Sequence, residues 1–220
     1  MIIDAAPEAG VLPGSGALLV RRAGPGDRAA LEAMFQRCTP QTVYRRFHGQ
    51  VKAFPAAYLT EALAGVPAHY AIVAGSGPRV VALASLRLAD PAGLADPAGL
   101  ADPAGLAGLA ALSAAELGIL IEDGWQRRGL GRELLARLVA HADSLGLAEL
   151  HAQTLIEQDW ILGLLSPYGA CASTFGPGVR EVRLRLDHPG ERRRPPADLR
   201  PLGDRGRPAS RPASRPAGRT

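Results

Sequence analysis

The 220-residue chain is 47% hydrophobic, enough for one domain of about 150–190 residues with a single core plus tails. Its net charge of +4 belongs to the end of the chain. From Asp187 onward nine arginines face four acids, giving +5, which leaves −1 for Met1–Leu186. A near-neutral body argues against a folded nucleic-acid binder. Two distant cysteines, Cys38 and Cys171, form no CxxC or Cys/His cluster, which argues against a disulfide framework or a zinc site. No apolar run approaches the roughly 20 residues needed to cross a bilayer, so a cytoplasmic protein without a membrane partner is expected.

Residues 1–16 read as a flexible N-terminus, and Asp4 and Glu8 stand where a signal peptide would need a basic start. A strand is expected at about 17–22, then a helix opened by Pro25-Gly26-Asp27, with Asp27 as cap and Leu31, Met34 and Phe35 buried. A second short helix from Pro40 carries Val43, Tyr44 and Phe47, and Pro55–Ala64 reads as a third. His69–Ala74 and Arg79–Leu88 read as paired strands around Gly75-Ser76-Gly77-Pro78.

Three identical copies of Ala-Asp-Pro-Ala-Gly-Leu follow at 89–106. Proline and glycine in each copy stop a helix, and three copies are too few for a solenoid, so 89–113 reads as a turn-rich insertion. A strand is expected at Ala114–Ile121. The helix behind it shows an apolar stripe of Leu130, Leu134, Leu135, Leu138, Val139, Ala142 and Leu145. Leu147–Leu155 reads as a strand and Glu157–Leu165 as a helix stopped by Pro167. Strands at about Ala170–Thr174 and Val179–Leu186 flank Gly176-Pro177-Gly178. The Arg/Pro-rich tail, 189–220, has too little apolar surface to offset chain entropy and is expected to be disordered.

The most informative stretch joins the strand ending at Ile121 to the long helix: Gln126-Arg127-Arg128-Gly129-Leu130-Gly131-Arg132. A strand–glycine turn–helix junction points unpaired N–H groups, backed by the helix dipole, at one spot, which makes an anion site. Arg127, Arg128 and Arg132 add positive charge, and glycine lets a ligand approach the backbone. The only lysine, Lys52, lies far away, which excludes a P-loop, and Leu134 stands where a dinucleotide fingerprint needs its third glycine. What remains is Gln-x-x-Gly-x-Gly.

That loop, with its incoming strand, Trp125 and the amphipathic helix, resembles the coenzyme A pyrophosphate loop of the GNAT superfamily of N-acetyltransferases. The order of expected elements over roughly 17–186 is similar to the GNAT order. The resemblance implies an α/β (α+β) fold, a mixed central sheet splayed at strands 4 and 5 with helices on both faces, in one domain over 17–188. Cys38–Gly49 resembles the helix-two region of the GNAT domains in bacterial protein lysine acetyltransferases. There a strand beginning Ala-Glu, as in Ala115-Glu116-Leu117, supplies the general base, so that role carries over to Glu116.

The resemblance also implies acetyl-CoA as co-substrate, held by Leu120, Ile121, Gln126, Arg127, Arg128, Gly129, Leu130, Gly131, Arg132 and Gln158. A backbone N–H near Ile121 would face the oxyanion, as is usual in the family. Two positions depart from the family pattern. Gln158 follows Glu157 where the family often has Asn, and Leu165 stands where many members have the tyrosine that protonates the thiolate, with Tyr168 a weak substitute.

A lysine-type amine is mostly protonated at neutral pH, so transfer needs a base, and Glu116 fills that role; Glu122 and Asp123 are rivals expected to brace the turn. The five histidines show no metal-binding spacing, and no metal is expected. No Gly-x-Ser-x-Gly elbow exists for a serine hydrolase. The leading function is therefore acetyl transfer to an amine, a protein lysine or a small molecule, by direct attack in a ternary complex. The alternatives are a catalytically weak acetyl-CoA-sensing domain and, last, a nucleic-acid tether in the tail. A monomer or homodimer is expected.

Overall fold

The computed structural model describes residues 18–66, 68–88 and 114–187. The expected flexible N-terminus, repeat insertion and Arg/Pro tail lie outside them. Chain order is β1 (Leu19–Arg22), α1 (Arg28–Arg37), α2 (Pro40–Phe47), α3 (Ala56–Leu63), β2 (His69–Ser76), β3 (Arg79–Leu88) and β4 (Ala114–Ile121). Then come α4 (Leu130–Ser144), β5 (Glu149–Leu155), α5 (Trp160–Leu165), β6 (Gly169–Phe175) and β7 (Val179–Leu186). Short 3₁₀ turns precede α1 and follow β4 and α5.

The described strands form one seven-stranded sheet in the order β1-β2-β3-β4-β5-β7-β6. Neighbours are antiparallel except β4 and β5, which run parallel. Side chains alternate across the sheet, so the central strands β2, β3 and β4 each feed two cores. Ile72, Ala74, Val81, Ala84, Leu117 and Val182 pack with Leu134, Leu135 and Leu138 of α4 and Leu165 of α5. On the other face Ala71, Val73, Leu83 and Leu120 pack with Leu31, Met34 and Phe35 of α1, Val43 of α2 and Leu59 and Leu63 of α3. Helices thus cover both faces, as the GNAT resemblance implies.

Local departures from the sequence reading have physical causes. Asp27 does not cap α1; it reaches back to the Gly24 N–H at 2.9 Å and takes the Arg21 guanidinium at 2.5 Å. Tyr44 is 42% and Leu145 50% exposed, because each falls past the edge of its helix's apolar stripe. The last helix starts at Trp160 rather than Glu157, since Gln158 is spent folding back onto the end of β5.

His69 opens β2 with 2% exposure, and neither ring nitrogen finds a hydrogen bond among the described residues. Burial first, aided by Arg87 and Arg46 against the opposing pull of Glu61 and Glu116, holds its pKa below the usual imidazole value. Burial likewise lowers His48 and His141. The unfolded chain therefore binds more protons than the fold once pH drops through about 6.5. Stability is expected to be full above that value and to fall as pH goes from 7 to 5, with a shallower fall in His69→Leu. Urea midpoints across that range check it, and a flat profile in the wild type would contradict it.

Candidate active site

β4 and β5 pair over only three residues, Ala114↔Glu149, Ala115↔Leu150 and Glu116↔His151, and then diverge. The Glu122 N–H bonds to Val81 O at 2.9 Å, which fixes the phase of the β3–β4 ladder. Leu120, Gly118 and Glu116 consequently aim their N–H groups at β3, while Ile119 and Ile121 aim theirs into the opening. Ile121 is thus brought to the opening. Leu120 is not: its N–H faces Leu83 and its side chain is buried beneath α1–α3.

The loop from Ile121 to α4 sits at the mouth of this opening and is tied down from below. Glu122, 7% exposed, takes Arg37 at 3.0 Å and Arg79 at 2.5 Å, one on each oxygen. Asp123 accepts from the Thr39 N–H (2.8 Å), the Thr39 hydroxyl (2.7 Å) and the Thr42 hydroxyl (2.8 Å). Burial opposes its ionisation, but those hydrogen bonds outweigh burial and hold the carboxyl below its ordinary range. Both acids brace the turn, as expected of them. The Gln126 amide donates to Ile121 O at 2.9 Å and Thr42 Oγ1 at 3.0 Å, so its side chain also fixes the loop.

What this bracing holds up is a row of backbone donors. Gly129 takes φ +87°, a left-handed conformation that glycine adopts without penalty, and opens α4 there. Helical bonding begins at the Arg132 and Glu133 N–H groups, which leaves those of Gly129, Leu130 and Gly131 without acceptors among the described residues. Arg127, Arg128 and Arg132 are exposed, and none has a carboxylate partner among the described residues. Arg128 lies over the Trp125 ring at 5.4 Å. Orphan donors, a helix N-terminus and free guanidinium groups fit the pyrophosphate of coenzyme A.

Across the opening, Gln158 Oε1 accepts from Thr154 Oγ1 at 2.6 Å, and its NH₂ has no partner among the described residues. Leu165 is 1% exposed within the core, and Tyr168 is half-buried against the same core. Burial, then the charges of Asp123 and Glu122, push the Cys38 thiol up to about 11, and burial raises Cys171 as well. Neither cysteine is a ready nucleophile.

On the α2/α3 face of β4 lies a pocket of about 280 Å³, lined in part by Glu116. Two ladder rows build its floor: Glu116 beside Arg87, and Gly118 beside Ser85. Glu116 accepts from Arg87 at 2.8 Å, with 44% of its side chain exposed. Arg46 and Phe47 of α2 and Tyr58 of α3 form the walls. Sequence reading missed Arg46, Tyr58 and Ser85. One signal was available: an isolated glycine inside an apolar strand, Gly118, marks a close approach. That approach is by Arg46, whose Cζ lies 2.7 Å from where a Cβ on residue 118 would stand.

A mixed sheet opened between its two parallel strands, with a basic helix N-terminus at the mouth, defines the class as GNAT-fold acyltransferases. The chain belongs to the Acetyltransferase (GNAT) family, whose pattern matches residues 29–160, and is an N-acetyltransferase-family enzyme. The family uses acetyl-CoA. No curated protein matches the chain in sequence. The GNAT domain of S. lividans PAT superposes with a TM-score of 0.65 at 19% identity, covering 82% of this chain and 97% of that one. Spermidine N-acetyltransferase from Vibrio cholerae, solved with CoA and spermine, gives 0.53 at 15% identity, covering 77% and 95%. The yncA protein from Salmonella typhimurium, solved with its cofactor acetyl-CoA, gives 0.51 at 18%, covering 78% and 95%. These likenesses are of fold. Among the described residues no helix is long and apolar enough to cross a membrane.

Proposed function

We propose that the protein transfers acetyl from acetyl-CoA to an amine by direct attack in a ternary complex. The observation that carries the reading is the pairing of two sites along one strand. Beyond the end of β4 stand the free N–H groups of Gly129, Leu130 and Gly131 with their arginines, and on its α2/α3 face opens the pocket containing Glu116. In this reading the loop holds the pyrophosphate and the Ile121 N–H faces the thioester oxygen as charge develops on it. Glu116 takes the proton from the amine, the N–C bond forms and the C–S bond breaks. The leaving sulfur, with Leu165 in place of a hydroxyl donor, takes its proton from solvent. Direct transfer is favoured over an acyl-cysteine because burial disfavours both thiolates.

The test is coenzyme release in a thiol-trap assay across small amines and lysine peptides. Amine-dependent release well above the hydrolysis rate is the expected outcome. Tight acetyl-CoA binding with no amine-dependent release would overturn the enzymatic reading in favour of an acetyl-CoA-sensing domain.

A further inference from the structure

Resting on that reading, we propose that the acceptor is a small amine that also carries a carboxylate, such as an α-amino acid, with Arg46 taking the carboxylate and Glu116 the amine. The argument begins at Gly118. A Cβ there would stand 2.7 Å from Arg46 Cζ and 3.1 Å from Nε, so a side chain at 118 would evict the guanidinium. The guanidinium also lies against two aromatic rings, 5.0 Å from the centroid of Phe47 and 5.2 Å from that of Tyr58. A cation is thereby fixed against the floor of the pocket.

Its hydrogen bonding is nearly unused. Nη2 donates to the Tyr58 hydroxyl at 3.2 Å, and no other described residue accepts from a group with five donors. Its neighbours differ: Arg87 is paired with Glu116, and Arg37 and Arg79 with Glu122. Among the described residues Arg46 has no carboxylate partner. Beside it, the Tyr58 and Ser85 hydroxyls lie 2.8 Å apart, neutral groups suited to a second carboxylate oxygen.

Placement sets the size of the acceptor. Glu116 and Gly118 are two residues apart on one face of β4, roughly 6–7 Å along the strand. That spacing separates the acidic and basic anchors by about the length of a small zwitterion with its two hydrogen bonds. At about 280 Å³ the pocket is at the small end of ligand sites, which suits an amino acid better than a peptide segment. Among the described residues the remaining pocket acid is Glu61, more than half exposed, with His69 Nδ1 at 3.8 Å.

The experiment compares amino acids with their α-amides (alanine, methionine, phenylalanine and glutamate) and a lysine peptide, using the full chain and saturating acetyl-CoA. A charge-assisted carboxylate contact predicts that kcat/KM for at least one acid exceeds that of its amide by about 10- to 100-fold. Arg46→Met should bring that ratio near one, chiefly through KM for the acid, and Arg46→Lys should restore part of it. Gly118→Ala, which displaces the guanidinium rather than removing it, should lower the ratio too. Equal use of amides and acids, preference for the lysine peptide, or a ratio untouched in Arg46→Met overturns the proposal while amine acetylation itself stands. If no amine is turned over, calorimetric binding of the same acids and amides to the CoA-loaded protein decides. Acid-selective binding lost in Arg46→Met supports the proposal, and its absence overturns it.

Discussion

Replacing Gly131 with glutamate is expected to abolish acetyl-CoA binding while leaving the fold standing. A Cβ at 131 would meet only Ile121 Cδ1, at 3.4 Å, so the backbone accepts a side chain without rearrangement. The position is in the first turn of α4, where a carboxylate favours the helix through its dipole. Stability should therefore stay within about 1 kcal/mol of wild type. The side chain is directed toward the end of β4, where the pyrophosphate would sit. Two like charges about 5 Å apart at a protein surface repel by roughly 3 kcal/mol, so affinity should fall by about 100-fold or more. Gly129 is the less clean site, because its φ of +87° strains any other residue whatever its charge. Calorimetry on Gly131→Glu, with thermal melts as the fold control, makes the measurement. Unchanged affinity in a folded variant would remove the loop from the coenzyme site.

The fold was legible where one periodicity ruled one segment. The leucine stripe from Leu130 to Leu138 marked α4, and the apolar run of Ala114–Ile121 marked β4, the strand with the bounds expected. The splay was not readable from periodicity. It depends on where β4 stops pairing with β5, after Glu116↔His151, and nothing local in either strand marks that point. Here the resemblance to a family supplied what residue patterns did not.

The site divides along similar lines. The loop was legible because its chemistry is contiguous, from Gln126 to Arg132. Even so, Gln126 proved to be a brace between Ile121 O and Thr42, because a side-chain amide finds a buried carbonyl that sequence does not show. The pocket on the α2/α3 face was nearly illegible. Arg46, Tyr58, Ser85 and Glu116 come from four elements, and their meeting depends on the packing of α2 and α3 onto the sheet. Arg46 in particular reads on the sequence as one more basic residue beside Arg45. Only the bare backbone of Gly118 beneath it gives it a distinct place.

Glu116→Gln is expected to cut turnover by about 10²- to 10⁴-fold at neutral pH while acetyl-CoA affinity holds. The substitution keeps shape and leaves an oxygen for the Arg87 bond, now 2.8 Å, but removes the proton acceptor. Since the ion pair it breaks is about half exposed on both sides, stability should change by no more than about 1 kcal/mol. Glu116 lies in the pocket on the α2/α3 face, away from the loop, so binding of the coenzyme should not register the change. As pH rises and more of the amine is free, the deficit should shrink, because the missing step is deprotonation. A merely structural role for Glu116 predicts a different pattern: a pH-independent loss, or one that follows KM alone. Turnover within a few-fold of wild type at pH 7 would make it a bystander. Glu122 is then no replacement, since Arg37 and Arg79 occupy its two oxygens and it lies buried beneath the loop. The proton would have to leave through water in the pocket, which Glu61 also lines.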